Sequence, residues 1–195
     1  MKRLLPVILL AHSSALLAAT TLLEVPVTYH PNADVVPKVK EECQIEAMLA
    51  NRVGAMMAKL NKTGNGTLAA GSEAPDSALL RLQITHVLGV GGGAWSGPKA
   101  ITVTAELLEN GKQVRQTKIN RWSVGGVWGA FKGTCSILDR SAVAIGKDMY
   151  RWVRNPGYQI VEQPAPVEAV EAKPEAEASV EVVPLPEAAE PTAAN

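Results

Sequence analysis

Asn110-Gly111 joins two stretches whose apolar and polar residues alternate, and no other feature of this sequence restricts its fold so sharply. Asn-Gly supplies the two positive φ angles of a tight type I′ turn, so the flanking stretches must return on each other as an antiparallel hairpin. Before the turn, Ile101, Val103, Ala105 and Leu107 face one way and Thr102, Thr104 and Glu106 the other. After it, Gln113 to Val124 is more polar, with Lys112, Arg115, Lys118 and Arg121 distributed over both faces. A period of two also runs from Ser77 to Leu88, where Leu80, Leu82, Ile84 and Leu88 oppose Arg81, Gln83 and Thr85. Leu23 to Tyr29 alternates as well, and Pro26, which has no N–H to give a ladder, is expected to confine it to a sheet edge.

Two segments switch to helical spacing. From Pro37 to Leu60 the apolar positions Ile45, Leu49, Val53, Met56 and Leu60 recur at threes and fours, with Met48 and Met57 beside them and Gly64 past the end. Ser136-x-x-Asp139 reads as a capping box opening a second helix through Val153, striped by Ile137, Leu138, Ala142, Ile145, Met149 and Trp152. The expected fold is α+β, a two-layer sandwich: an antiparallel sheet of three to four strands with two helices on one face. Arg81, Gln83, Thr85, Thr102, Thr104 and Glu106 would line the opposite, wet face.

The chain divides into three parts. Residues 1–19 begin with Lys2 and Arg3, continue with the apolar run Leu4 to Ala11, and are interrupted by His12-Ser13-Ser14. A span needs about 20 apolar residues, so a cleaved signal peptide is the expectation, with an uncleaved anchor as its rival. No Cys lies just beyond the junction to accept a lipid. Residues 20–160 form the α+β domain. Residues 161–195 hold six Pro, eight Glu and one Lys, with no Gly or aromatic residue, and read as a disordered acidic tail. The tail carries 1 − 8 = −7, whereas residues 20–160 carry 16 − 11 = +5, so the neutral total conceals two opposed charges. The tail reads first as a disordered end that aids solubility; attraction between tail and body, and a spacer reaching a basic or peptidoglycan-facing partner, are the alternatives.

Export determines how the cysteines are read. Cys43 and Cys135 lie 92 residues apart with no metal-spaced Cys or His beside them, so one disulfide is expected. Closing a loop of about 90 residues contributes roughly 4 to 5 kcal/mol in the chain-entropy model.

Signatures of chemistry are sparse. Gly89-Val90-Gly91-Gly92-Gly93-Ala94 has the letters of a dinucleotide fingerprint, but a strand follows it and not the helix N-terminus that would hold a pyrophosphate. His30 sits in a Tyr-His-Pro turn. His86 has the parity of an apolar face and reads as a core residue or a bulge marker before a catalytic base. No cofactor, metal cluster, nucleotide or nucleic-acid partner is indicated, and a non-enzyme is expected. Asn61-Lys62-Thr63 and Asn65-Gly66-Thr67 have the form of glycosylation acceptors, which matters only in a eukaryotic source.

Two Gly/Trp loops make the candidate partner-binding edge: Gly91, Gly92 and Trp95 in one, and Trp122, Gly125, Gly126, Trp128 and Phe131 in the other, although the second reads first as a wide loop that tucks Trp128 and Phe131 into the core. Exposed aromatics anchor membrane interfaces and protein partners alike, so an envelope protein or a membrane surface is the expected partner, with oligomeric state left open. Two other readings stand beside this. One is a small-ligand or lipid carrier, its pocket between sheet and helices lined by Met48, Met56 and Met57. The other is a peptidoglycan hydrolase, which needs His86 exposed beside a carboxylate.

From Leu82 to Val153, the strand, the glycine loop Gly89 to Gly97, the strand Ile101 to Leu108 with its Asn110-Gly111 turn, the second glycine loop and the closing helix resemble a known pattern. It is that of small Gram-negative envelope proteins, often lipoproteins, with a domain of the curli-secretion and TolB amino-terminal type. The resemblance implies an envelope interaction module and brings no catalytic residues. The acidic tail is outside that pattern.

Intact mass of protein from its native envelope fraction tests both location and disulfide. The expected mass lacks 15–19 N-terminal residues, with no thiol alkylated before reduction; a full-length mass with two free thiols overturns both.

Overall fold

A computed structural model describes residues 20–89, 97–124 and 133–164. In chain order the elements are β1 (Thr20–Val25), β2 (Thr28–Val35), α1 (Pro37–Cys43), α2 (Ile45–Asn61), β3 (Thr67–Ala69), β4 (Ser77–Leu88), β5 (Lys99–Glu109), β6 (Lys112–Ser123) and α3 (Thr134–Arg154). The hairpin forms as its turn residues require: Asn110 and Gly111 have φ of 51° and 75°, and β5 pairs antiparallel with β6 along its length.

The sheet is larger than expected, and mixed. Six strands take the order β3-β1-β4-β5-β6, with β2 also on β4. β4 pairs antiparallel with β5, yet β1 and β2 both lie parallel to β4, and β3 lies parallel to β1. The reason is the connection. Two helices separate β2 from β3 and β4, which is a crossover of the length parallel pairing demands, whereas tight turns can only make antiparallel neighbours. The expectation that Pro26 holds its strand at an edge is also corrected. β1 is flanked by β3 and β4, and Pro26 falls in the break between β1 and β2, where no ladder bond needs its missing N–H.

The helix expected from Pro37 to Leu60 is two helices, bringing the described total to three. Gln44 between them has a left-handed backbone, φ 46° and ψ 55°. Val39 and Cys43 on α1 are four residues apart, and Ile45, Leu49, Val53 and Met57 on α2 continue in steps of four, all buried. Cys43 and Ile45, however, are two apart, which on one continuous helix would put them on nearly opposite faces. The break at Gln44 resets the phase so that both reach the core. α3 also begins differently from its expected capping box. Thr134 is its first residue, Ser136 Oγ donates to the Gly133 carbonyl, and Asp139 instead accepts two hydrogen bonds from Arg52 of α2.

The core lies between the helices and one sheet face. Leu80, Leu82, Ile84 and Val87 of β4, Ile101 and Val103 of β5 and Ile119 of β6 meet Leu49, Val53 and Met57 of α2 and Ala142, Ile145 and Met149 of α3. The periodicity of β4 is shifted once. Ile84 faces Val103 and His86 faces Thr102, so Thr85 is an extra residue, a bulge that turns Val87 inward and His86 outward. His86 therefore leaves the apolar face that simple alternation assigns it, and Leu88 follows it out. Asn61, at the far end of α2, is used structurally: its side chain accepts from the Thr21 N–H and donates to the Thr21 and Asn65 carbonyls, pinning β1.

Candidate functional site

The two glycine loops leave the sheet at one end. β4 ends at Leu88, opposite Ala100, and Lys99 at the start of β5 lies opposite Ser123 at the end of β6. The stems of both loops are therefore adjacent. The loop opened by Gly89 leads from β4 into β5, a strand, which the dinucleotide fingerprint does not allow. Gly91, Gly92, Trp95, Gly125, Gly126, Trp128 and Phe131 lie outside the described residues, as do the leader 1–19 and most of the acidic tail, 165–195.

What holds these stems is described. Cys43, the last residue of α1, is bonded to Cys135 in the first turn of α3, their Cα atoms 5.0 Å apart. The bond crosses from the crossover helices to the helix that follows the second loop. Gly89 completes the frame, since a Cβ there would come within 2.6 Å of a Val39 methyl, so α1 packs at this end only against a glycine. Trp122, the candidate residue that is described, lies on the sheet face away from the helices. Its Nε1 and the Asn120 Oδ1, two residues back on that face, are buried and have no hydrogen-bond partner among the described residues.

Beneath this end lies a group of charges the sequence pattern does not reveal. Lys99 is fully buried, and burial pushes its ammonium below the usual lysine range. Arg121 points from β6 into the helix layer, where its Nε donates to Asp148 Oδ2 at 2.5 Å with both side chains under one-tenth exposed. Its Nη1 donates to the carbonyls of Asn120 and Val161, each at 3.0 Å. A buried arginine is tolerated when its donors are paired in this way. Asp148 escapes a reading based on apolar stripes, though its position between Ile145 and Trp152 on the buried side of α3 is a signal in itself: a carboxylate at core spacing needs a cation opposite. Arg115, also inward on β6, donates from Nη1 to the Trp152 carbonyl at 2.7 Å and stacks on that indole at 4.2 Å. The β6 cations thus do fall on two faces, with Lys118 exposed on the other.

On the outer face His86 is partly exposed, and its Nδ1 lies 3.1 Å from Asp34 Oδ2 of β2. Along the same face Arg81 pairs with Glu24 of β1, 2.5 Å between Nε and Oε2. The methionines named for a carrier pocket occupy packed positions. Met57 has no exposed surface, and Met48 and Met56 lie against the core. No described helix is long and apolar enough to cross a membrane, and the described residues hold no cluster of three metal-ligating side chains.

No protein-family model and no curated protein matches the sequence. Among solved structures, the chain is similar to the PelC dodecamer protein from Paraburkholderia phytofirmans, at 17% identity and TM-score 0.42 over 67% of this chain and 89% of that one. It is similar to a DUF330 protein from Xanthomonas campestris at 14% identity and TM-score 0.41, covering 69% and 82% of the two chains. A minor lipoprotein from Acinetobacter baumannii gives 10% identity and TM-score 0.39, covering 69% and 90%. None of these three is named as a curli-secretion or TolB protein.

Removing one partner of a buried ion pair strands the other charge, a loss of about 3–5 kcal/mol. Asp148→Ala is therefore expected to lower the urea midpoint by that equivalent, whereas Asp139→Ala, whose Arg52 partner stands in solvent, is expected to change it little. Equal midpoints for the wild type and Asp148→Ala would remove the pair from its structural role.

Proposed function

We propose that this chain is a non-enzymatic, exported accessory protein that holds a partner of the bacterial envelope through the loop end of its sheet. The observation that carries this reading is the convergence of both Gly/Trp loop stems on one end, mounted on a disulfide-joined pair of helices. Rigid mounting supports recognition because loop ordering on binding costs affinity, and a fixed stem reduces what must be ordered. Trp95, Trp128 and Phe131 are the aromatic anchors this reading assigns, with Gly91, Gly92, Gly125 and Gly126 allowing close approach. The disulfide supports the exported location, since such bonds persist in oxidising compartments.

Capture of partners from an envelope extract by the double variant Trp95→Ala plus Trp128→Ala tests it. The expected result is loss of a partner that the wild type retains, with an unchanged urea midpoint; an identical partner set counts against the loops.

A second reading is favoured by one geometry. His86 stands outward beside Asp34, which leaves its Nε2 free to take a proton from water while the carboxylate orients the ring. An exposed His86 beside a carboxylate is the one condition the hydrolase reading sets, and this geometry meets it. Soluble fragments released from purified peptidoglycan by the wild type and not by His86→Ala are its expected signature, and no release by the wild type removes it.

A further inference from the structure

α3 presents a basic face that the rest of the described chain leaves open. Arg140, Lys147, Arg151 and Arg154 are all exposed, and at 3.6 residues per turn they fall within a stripe roughly 60° wide. Among the described residues no carboxylate pairs with Arg140, Lys147 or Arg154, and Arg151 reaches only the flank of the buried Asp148, at 3.8 Å. Arg140 instead donates to the Val124 carbonyl and Arg154 to the Tyr150 hydroxyl. The two acids of this helix, Asp139 and Asp148, lie off the stripe and are committed to Arg52 and Arg121.

The chain itself returns to this face. After Arg154 it turns at Asn155-Pro156-Gly157, and Val161 is then held by Arg121 while Gln163 Oε1 accepts from the Trp122 N–H at 3.4 Å. Residues 155–164 thus run back along α3. Between them and the helix lies a groove of about 480 Å³, walled by Lys147, Asp148, Arg151, Tyr158, Glu162 and Pro164. Glu162, the first carboxylate of the acidic run, is already on that wall, and the described chain ends at Pro164 on its rim. Residues 165–195 then hold seven Glu and one Lys.

We propose that the basic face of α3 is the docking site for the chain's own acidic segment 165–195, which covers it and so keeps it from other polyanions. Charge and reach both fit. From Arg140 to Arg154 the stripe is about 21 Å long at 1.5 Å per residue. About seven extended residues at ~3.1 Å each span that length, and 31 residues follow Pro164. The Glu residues from 168 to 181 recur every two to four positions, ~6–12 Å apart when extended, against cation intervals of about 10, 6 and 4.5 Å along the helix axis. Each exposed pair contributes little alone, so the contact is collective and salt-sensitive, with a Debye length of about 10 Å at 0.1 M and 3 Å at 1 M.

The test compares the full disulfide-bonded chain with a variant in which all seven Glu of 165–195 are replaced by Gln. In NMR spectra at low salt, the expected differences concentrate at the backbone amides and side-chain N–H groups of Arg140, Lys147, Arg151 and Arg154, and disappear at 1 M salt. Identical spectra, or differences spread equally over Lys38, Lys59 and Lys112, overturn the proposal. Phosphatidylglycerol vesicles provide a second readout. The Glu-to-Gln variant is expected to bind them at least about tenfold more tightly than the wild type, since each uncovered cation near an anionic surface adds attraction. Adding Lys147→Gln and Arg151→Gln to that variant is expected to abolish the gain. Equal vesicle binding by wild type and Glu-to-Gln variant overturns the proposal.

Discussion

The described fold is built around β4, whose two edges accept neighbours of opposite direction. One edge carries β1 and β2 in parallel, end to end along its length, and the other carries β5 antiparallel. Its inward residues, Leu80, Leu82, Ile84 and Val87, are almost completely buried beneath the helices. At about 25 cal/mol per Å² of apolar surface, burial on this scale is the dominant favourable contribution to folding. It also sets register, because a slip of one residue would expose that whole face. The Thr85 bulge is the point where register is reset, and through it β2 and β5 both follow a displaced outer half of the strand. His86 meets Asp34 as a consequence of that displacement.

Packing then leads to the loop end by two routes. The break at Gln44 lets α1 bring Cys43 to α3, and the resulting disulfide fixes the entry of the helix that follows the second glycine loop. The Arg121–Asp148 pair ties β6 to the middle of α3 and holds Val161 with its remaining donor. One link is covalent and the other is a buried charge pair, so the frame around the loop stems does not depend on hydrophobic contact alone. The same arginine places the start of the acidic run beside the cations of α3. Electrostatics absent from the net charge of the chain therefore become local once it is folded.

Local geometry follows from residue order alone. Asn110-Gly111 specified a hairpin because few residue pairs accept two positive φ angles, and the period of two in β4 and β5 and the apolar stripe of α3 followed from burying one face of each element. Residue order also determined the charge division between residues 20–160 and 161–195. The pairing of Cys43 with Cys135 was legible because a chain with two cysteines leaves one possible internal bond.

Tertiary structure decided what depends on partners distant in the chain. Whether β1 and β2 pair parallel or antiparallel is set by the crossover through α1 and α2, and alternation looks the same in either direction. The helix break at Gln44 is invisible to a search for threes and fours because both halves keep helical spacing and only the phase between them changes. Asp148 reads as a surface acid until Arg121, 27 residues away, is placed opposite it. The basic face of α3 is likewise four cations scattered over 15 residues of sequence; the helical period aligns them, and burial of the opposite face decides that the stripe faces solvent. Periodicity records which residues leave water. It does not record what they meet there, because that is chosen by chain connection and by the pairing of charges that burial forces together.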